Sequence, residues 1–267
     1  MNPTRSSSPR KTALITGGSG GIGLELARQF AAHGHDVILV ARHRDALEAA
    51  AGTLEGKYAV RATVIVADLA DPDAPQRIFD AVRNEGIDVE FLVNNAGFGL
   101  GGEFADTDVN TELDMIQVNV SALIHLTKLF MQPMLIRKSG RIMNVASTAA
   151  FQPGPLMSVY YGTKAFVLSF SEAIAEELRD SGVTVTCLAP GATATGFADT
   201  AGVTNSGLFK RVGVQKADAI ARYGYAAMMR GERVAIAGIR NKIMIQSERL
   251  APRALVTKLI RLAQENR

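Results

Sequence analysis

Seven short apolar runs, separated by longer segments of helical spacing, constrain this chain more than any other feature. The runs cover residues 12–16, 36–41, 61–67, 89–94, 141–145, 183–188 and 233–237. Most are nearly continuous in aliphatic residues, the pattern of strands covered on both faces. The segments between them, 21–32, 44–54, 72–85, 109–137, 157–181 and 216–229, carry apolar residues at helical intervals. Strand alternating with helix predicts an α/β fold, a seven-stranded, mostly parallel sheet with helices on both faces. Right-handed crossovers make such a sheet doubly wound. No linker rich in Pro, Gly or Ser divides the core. The expected organisation is a disordered tail over 1–10, one domain over 11–240 with an insertion at 193–213, and a basic helical extension over 241–267.

Composition removes several classes of function. A hydrophobic share of 47% and a charged share of 21% are ordinary for a soluble domain. No run of eighteen apolar residues exists to span a membrane. The opening MNPTRSSSPR lacks the apolar stretch of a secretory signal. The single Cys187 excludes an internal disulfide and fits a reducing, cytoplasmic setting; within an apolar run it is expected to be buried and inert. His33, His35, His43 and His125 have no metal-ligand spacing, so no metal is expected. The net charge of +3 is unevenly placed. Residues 207–267 hold thirteen Lys and Arg against four Asp and Glu, and the remainder sixteen against twenty-two. The plain reading of the basic end is a solvated face; a phosphorylated substrate, anionic lipid or a partner subunit is the alternative. Residues 253–263 read as an amphipathic helix with Leu255, Val256, Leu259 and Ile260 on one side and Arg253, Lys258 and Arg261 toward the other. Nothing in the motifs supports nucleic-acid binding.

The first run leads into TGGSGGIG, residues 16–23. Glycines there permit positive φ and let backbone N–H groups approach a pyrophosphate at the next helix's N-terminus. Two parses stand open: Gly18, Gly20 and Gly23 fit G-x-G-x-x-G, and Gly17, Gly21 and Gly23 fit G-x-x-x-G-x-G, with Ser19 and Ile22 inside the same turn. After the second run the chain has Arg42, His43 and Arg44 where an NAD site usually places a carboxylate. A guanidinium there suits a ribose 2′-phosphate, so the cofactor expected is NADP(H), on a Rossmann-type domain.

Further on come Asp68-Leu69, Asn95-Ala96-Gly97, Asn119, Ser147, Tyr160 with Lys164 four residues later, and Pro190-Gly191. Tyr160 and Lys164 fall on one helical face. A free phenol, with a pKa of about 10, is a poor base at neutral pH. A lysine at ~4 Å favours the phenolate by roughly 4 kcal/mol before desolvation, at an effective dielectric of about 20. The expectation is therefore a lowered Tyr160 pKa. The Ser147 hydroxyl is placed to donate to a carbonyl oxygen that gains charge. Tyr161, three residues before Lys164, is a decoy.

With these motifs in this order, residues 11–240 resemble the short-chain dehydrogenase/reductase family. The resemblance implies hydride transfer between NADP(H) and a carbonyl or alcohol carbon. Tyr160 then moves the proton, Ser147 orients the substrate, Lys164 holds the ribose, and Asn119 holds a water in a relay to the lysine. It further implies that Asp68 and Leu69 contact the adenine, that Asn95, Ala96 and Gly97 underlie its ribose, and that Pro190, Gly191 and Thr193 flank the nicotinamide. A homodimer or homotetramer built through helices 109–137 and 157–181 is implied as well.

Phe98, Ala149, Phe151, Leu156, Met157 and Phe197 are the candidates to line a substrate pocket, and their apolar character suggests a hydrophobic small molecule. The insertion 193–213 is expected to order over bound cofactor and substrate. Two other readings remain: a catalytically silent NADP(H)-binding regulator, and an NADP-dependent epimerase or dehydratase using the same Tyr and Lys.

Overall fold

The structure is a computed structural model and describes residues 10–197, 201–202, 214–248 and 250–265. The tail 1–9 and most of the insertion, 198–200 and 203–213, lie outside the described residues, so the expectations placed there have no structural counterpart.

Seven strands form one sheet in which every pairing is parallel: β1 (Thr12–Thr16), β2 (Asp36–Ala41), β3 (Ala62–Val66), β4 (Val89–Asn94), β5 (Gly140–Val145), β6 (Val183–Ala189) and, at the far edge, Val234–Ile236. Spatial order runs β3-β2-β1-β4-β5-β6 and then that last strand. Side chains alternate between two cores, as a period of two requires. Ala13, Ile15, Val37, Leu39, Phe91 and Val93 pack on one face with Leu26 and Phe30 of α1 (Gly21–Ala32) and Ile220 of the helix Ala217–Arg230. Leu14, Ile38, Val40, Leu92 and Ile142 pack on the other, against Ile78 of α3 (Ala74–Asn84) and Leu126 and Phe130 of α5 (Ala122–Arg137). The order in which successive strands are added reverses between β1 and β4, and this switch point opens the crevice where such folds take a ligand.

Departures from expectation have local causes. α2 (Arg44–Tyr58) runs four residues past its expected end, through Gly56, and stops where Ala59 turns left-handed at φ 52°. The segment expected as one helix over 109–137 is broken into α4 (Val109–Ile116), one π-helical turn (Gln117–Ser121) and α5. The catalytic-side helix α6 (Ser158–Glu177) is shorter than expected at both ends. A short pair, β7 (Thr193–Ala194) with β8 (Gln215–Lys216), pins the two ends of the insertion together. The extension is two helices, α8 (Ile239–Glu248) and α9 (Arg253–Gln264), with α7 the preceding Ala217–Arg230.

Candidate active site

β1 ends on Thr16, whose hydroxyl oxygen accepts from the backbone N–H of Asn95 and of Ala96, both at 3.0 Å. The Asn95 amide donates back to the Thr16 carbonyl at 2.9 Å. Two strand tips are thereby locked across the switch point. Gly17 follows at φ +65°, and a Cβ there would stand 2.7 Å from Asn95 Nδ2. A Cβ at Gly23 would overlap the Gly17 carbonyl oxygen, and Gly21 sits at φ +54°. Gly20, by contrast, is extended with open space around it. The backbone thus demands glycine at 17, 21 and 23, which decides between the two parses.

The N-terminus of α1 has no side-chain cap and no acid in its first turn. Together with Gly17, Ser19, Gly20, Gly21, Ile22 and Arg42 it forms one end of a cavity of about 470 Å³. Unpaired N–H groups and a helix dipole at that end suit a phosphate. Arg44 is engaged with Glu48 at 3.3 Å, whereas Arg42 lines the cavity. Asn95, Ala96 and Gly97 line it too; Asp68 and Leu69 do not. The Asp68 carboxylate accepts from the Ala70 N–H at 3.0 Å, and Leu69 packs in the core.

At the other end Ser147 leaves β5 and caps a short 3-10 turn, its oxygen accepting from Ala149 N–H at 3.1 Å. The same hydroxyl lies beside the Tyr160 phenol and favours its ionised form. Lys164, one turn along α6, donates to the Val145 carbonyl at 2.9 Å, with Nζ 5.8 Å from the centre of the Tyr160 ring. Here an expectation is reversed. Burial pushes the Tyr160 pKa up, against a smaller lowering by Ser147, and Lys164 is not among the groups that offset it. Burial also brings Lys164 itself down to about 8. The spacing argument priced the attraction and left out the desolvation of both partners, which wins. Cys187, fully buried nearby, is pushed up to about 12 by burial, an inert thiol as expected.

Asn119 sits in the π-helical turn and is buried. Its amide oxygen accepts from Phe98 N–H at 3.1 Å, and its nitrogen donates to Phe98 O at 3.0 Å and Thr163 Oγ1 at 3.1 Å. A Cβ at Gly97 would stand 2.8 Å from that amide oxygen and 3.3 Å from Lys164 Nζ. The side chain therefore positions the loop after β4 against α6, with both amide hydrogens engaged and one lone pair of its oxygen unused.

Of the six substrate-pocket candidates, Phe98, Ala149, Met157 and Phe197 line the cavity. Phe197 lies 5.1 Å from the Tyr160 ring, centre to centre. Phe151 packs in a separate cluster, and Leu156, at φ +67°, gives its carbonyl to Gly102 N–H, so neither lines the cavity. Pro190, Gly191 and Thr193 do, with Thr193 Oγ1 donating to Gly191 O at 2.8 Å. Sequence reasoning missed Gln152, Asn241, Met244 and Ile260 as cavity residues, and treated Tyr161 only as a decoy. The Tyr161 hydroxyl accepts from Gln264 of α9 at 2.7 Å and also bonds Gln152, whose amide, oriented with its NH₂ outward, donates to Glu248 of α8. The extension is thus a wall of the cavity.

A glycine turn at a switch point, joined by one cavity to a buried Ser–Tyr–Lys group, marks a dinucleotide-binding protein of the Rossmann class. Within that class the chain belongs to the short chain dehydrogenase family, whose model matches residues 11–205. It is 36% identical over 177 residues to a very-long-chain 3-oxoacyl-CoA reductase of Coprinopsis cinerea, covering 65% of this chain and 52% of that one. The chain spans about half the length of the curated relatives it matches. Among solved structures, a short-chain dehydrogenase from Sphingobium yanoikuyae in complex with NADPH aligns with a TM-score of 0.81 at 31% identity, covering 90% of this chain and 94% of that one. A bulky-bulky ketone specific alcohol dehydrogenase from Comamonas testosteroni aligns with 0.77 at 28% identity, over 91% and 93%.

Proposed function

We propose that the chain is an NADP(H)-dependent oxidoreductase acting on the carbonyl or alcohol carbon of an apolar substrate, with Tyr160 as the acid/base. The observation that carries this reading is the placement of Ser147 beside Tyr160 in a cavity whose opposite end is the glycine turn. A silent regulator has no chemical use for that pair. The uncapped, acid-free N-terminus of α1 and the exclusion of any side chain at Gly17, Gly21 and Gly23 fit a pyrophosphate. Arg42 beside that turn fits a 2′-phosphate, and the Sphingobium relative's NADPH complex supports the same preference. When bound, the cofactor supplies or accepts the hydride.

The protein's own groups do the rest. Ser147 donates to the substrate oxygen and Tyr160 gives it a proton as it gains charge. With its pKa raised by burial, Tyr160 is held as the protonated phenol at neutral pH, which poises the site for reduction. Phe98, Met157, Phe197, Met244 and Ile260 exclude water and select an apolar ketone or aldehyde. The names of the relatives, an acyl-chain reductase and a bulky-ketone dehydrogenase, point the same way.

Among the described residues no helix is long and apolar enough to cross a membrane. A cytoplasmic setting is supported by the single buried thiol. A homo-oligomer is supported by Val109, Leu113 and Ile116 of α4 and Phe166 of α6, which expose large apolar side chains on neighbouring helices.

The test is fluorescence titration with NADPH and NADH, followed by NADPH oxidation against apolar ketones and aldehydes. Tyr160→Phe is expected to keep NADPH affinity and lose about 10³-fold in turnover. Turnover surviving in that variant removes Tyr160 as the acid, and tighter binding of NADH removes the role given to Arg42.

A further inference from the structure

The two extension helices are cavity wall on one side and something else on the other. On α9, Val256, Ile260 and Gln264 are buried toward the cavity, while Leu255, Leu259 and Leu262 form a second, solvent-facing stripe at i, i+4, i+7. The expected single apolar face is therefore two faces. α8 repeats the arrangement with Ile239 and Ile243 exposed. Between the helices Leu250 is 90% exposed, the highest value of any large hydrophobic side chain described.

Basic side chains are exposed on both helices: Arg240 and Lys242 on α8, Lys258 next to the leucines of α9, and Arg253, which sits over Val256 at the rim of a small pocket with Ile245 and Glu248. None of the four has an ion-pair partner among the described residues, whereas Arg261 is neutralised by Glu103 at 2.6 Å and Glu265 at 3.1 Å. The one carboxylate of α8, Glu248, is half-buried and turned inward to Gln152. The outer surface is thus aliphatic and cationic at once.

We propose that this surface docks on an anionic lipid bilayer, with Leu250, Leu255, Leu259 and Leu262 entering the headgroup–acyl boundary and Arg240, Lys242 and Lys258 meeting lipid phosphates. Charge decides among occupants. An isologous contact with a second copy brings Arg240, Lys242 and Lys258 against surfaces of their own sign. A nucleic acid rewards the cations but leaves six exposed aliphatic side chains without a partner. An anionic bilayer satisfies both, since a basic amphipathic helix lies in such an interface. Docking there also puts Met244 and Ile260, on the inner side of the same helices, between the lipid and the cavity.

The experiment is co-sedimentation of the full chain with phosphatidylcholine vesicles, with and without phosphatidylglycerol, at low and high salt. Wild type is expected to bind the anionic vesicles on the order of a hundredfold more tightly, and to release in high salt. Leu255→Ser/Leu259→Ser/Leu262→Ser is expected to lose that binding while keeping its melting temperature and NADPH affinity. Arg240→Glu/Lys258→Glu, which leaves the leucines in place, is expected to lose the preference for anionic lipid. Absence of sedimentation, equal binding to both lipids, or a wild-type oligomer that the leucine variant dissociates without any vesicle binding would each overturn the proposal.

Discussion

Lys164 is almost wholly buried, yet at pH 7 its ammonium has to be kept charged. Its pKa is down to about 8 because burial penalises the charge, and one hydrogen bond to Val145 O is the compensation the chain supplies. The unfolded chain binds its proton up to an ordinary lysine pKa near 10.4, the folded chain only to about 8. Between those values the unfolded state holds more protons, so this residue's contribution to stability rises with pH there and is lowest below pH 8. Lys164→Met is accordingly expected to abolish turnover and yet stabilise the cofactor-free protein at pH 7 by roughly 2 kcal/mol, after allowing for the lost hydrogen bond. The gain is expected to vanish as pH approaches 10.4. Thermal unfolding of both proteins across that range checks it; equal or lower stability of the variant at pH 7 removes the argument. Tyr160, Ser147 and Lys164 were legible at this scale because their spacing encodes a helical face and a strand end. The direction of their pKa shifts was not, because spacing carries attraction and no information about burial.

Strands were the legible elements, since a both-sides-covered strand must be apolar along its whole length and seven such runs stand out. The π-helical turn was illegible: Gln117, Val118 and Asn119 fit the helical period around them, and only the bonds from Asn119 to Phe98 and Thr163 make the extra residue worthwhile. α8 was passed over as an element because Ile239, Ile243 and Ile245 leave no clean apolar stripe: some face the cavity wall and others solvent. For the glycine turn, sequence offered two registers and the backbone accepts one. Gly20→Ala is expected to leave the melting temperature within a degree or so, its backbone extended and its surroundings open. Gly23→Ala forces a methyl group into the Gly17 carbonyl and is expected to cost about 3 kcal/mol or more, with loss of NADPH binding. Gly17→Ala, at φ +65° with its Cβ 2.7 Å from Asn95 Nδ2, separates the two registers: it is expected to lower the melting temperature and NADPH affinity more than Gly20→Ala, and the opposite ranking would restore the register built on Gly18 and Gly20.

For the whole molecule, the family match ends at residue 205, and the residues that close the cavity lie beyond it. The cavity wall is thus shared between two stretches of chain: Phe98, Met157 and Phe197 belong to the crevice of the doubly wound sheet, while Met244 and Ile260 come from helices whose outer face is proposed to meet lipid. That leaves α4 and α6 as the surface available to a second copy. Val109, Leu113 and Ile116 repeat at i, i+4, i+7, and Phe166 stacks on Phe170 at 5.7 Å on the neighbouring helix. A two-fold contact sets such a patch against itself, which aliphatic and aromatic groups tolerate and the cationic extension does not. The expected particle in sedimentation velocity is therefore a dimer or a dimer of dimers. Leu113→Asp/Phe166→Asp would bury two uncompensated charges per subunit at that contact and is expected to halve the mass or more, with NADPH affinity retained. A wild-type monomer at working concentration, or an unchanged mass in the double variant, would place assembly elsewhere or exclude it. The two exposed faces then predict separable losses: substitutions on α9 release lipid without changing mass, and substitutions on α4 and α6 change mass while each subunit keeps its full lipid-facing surface.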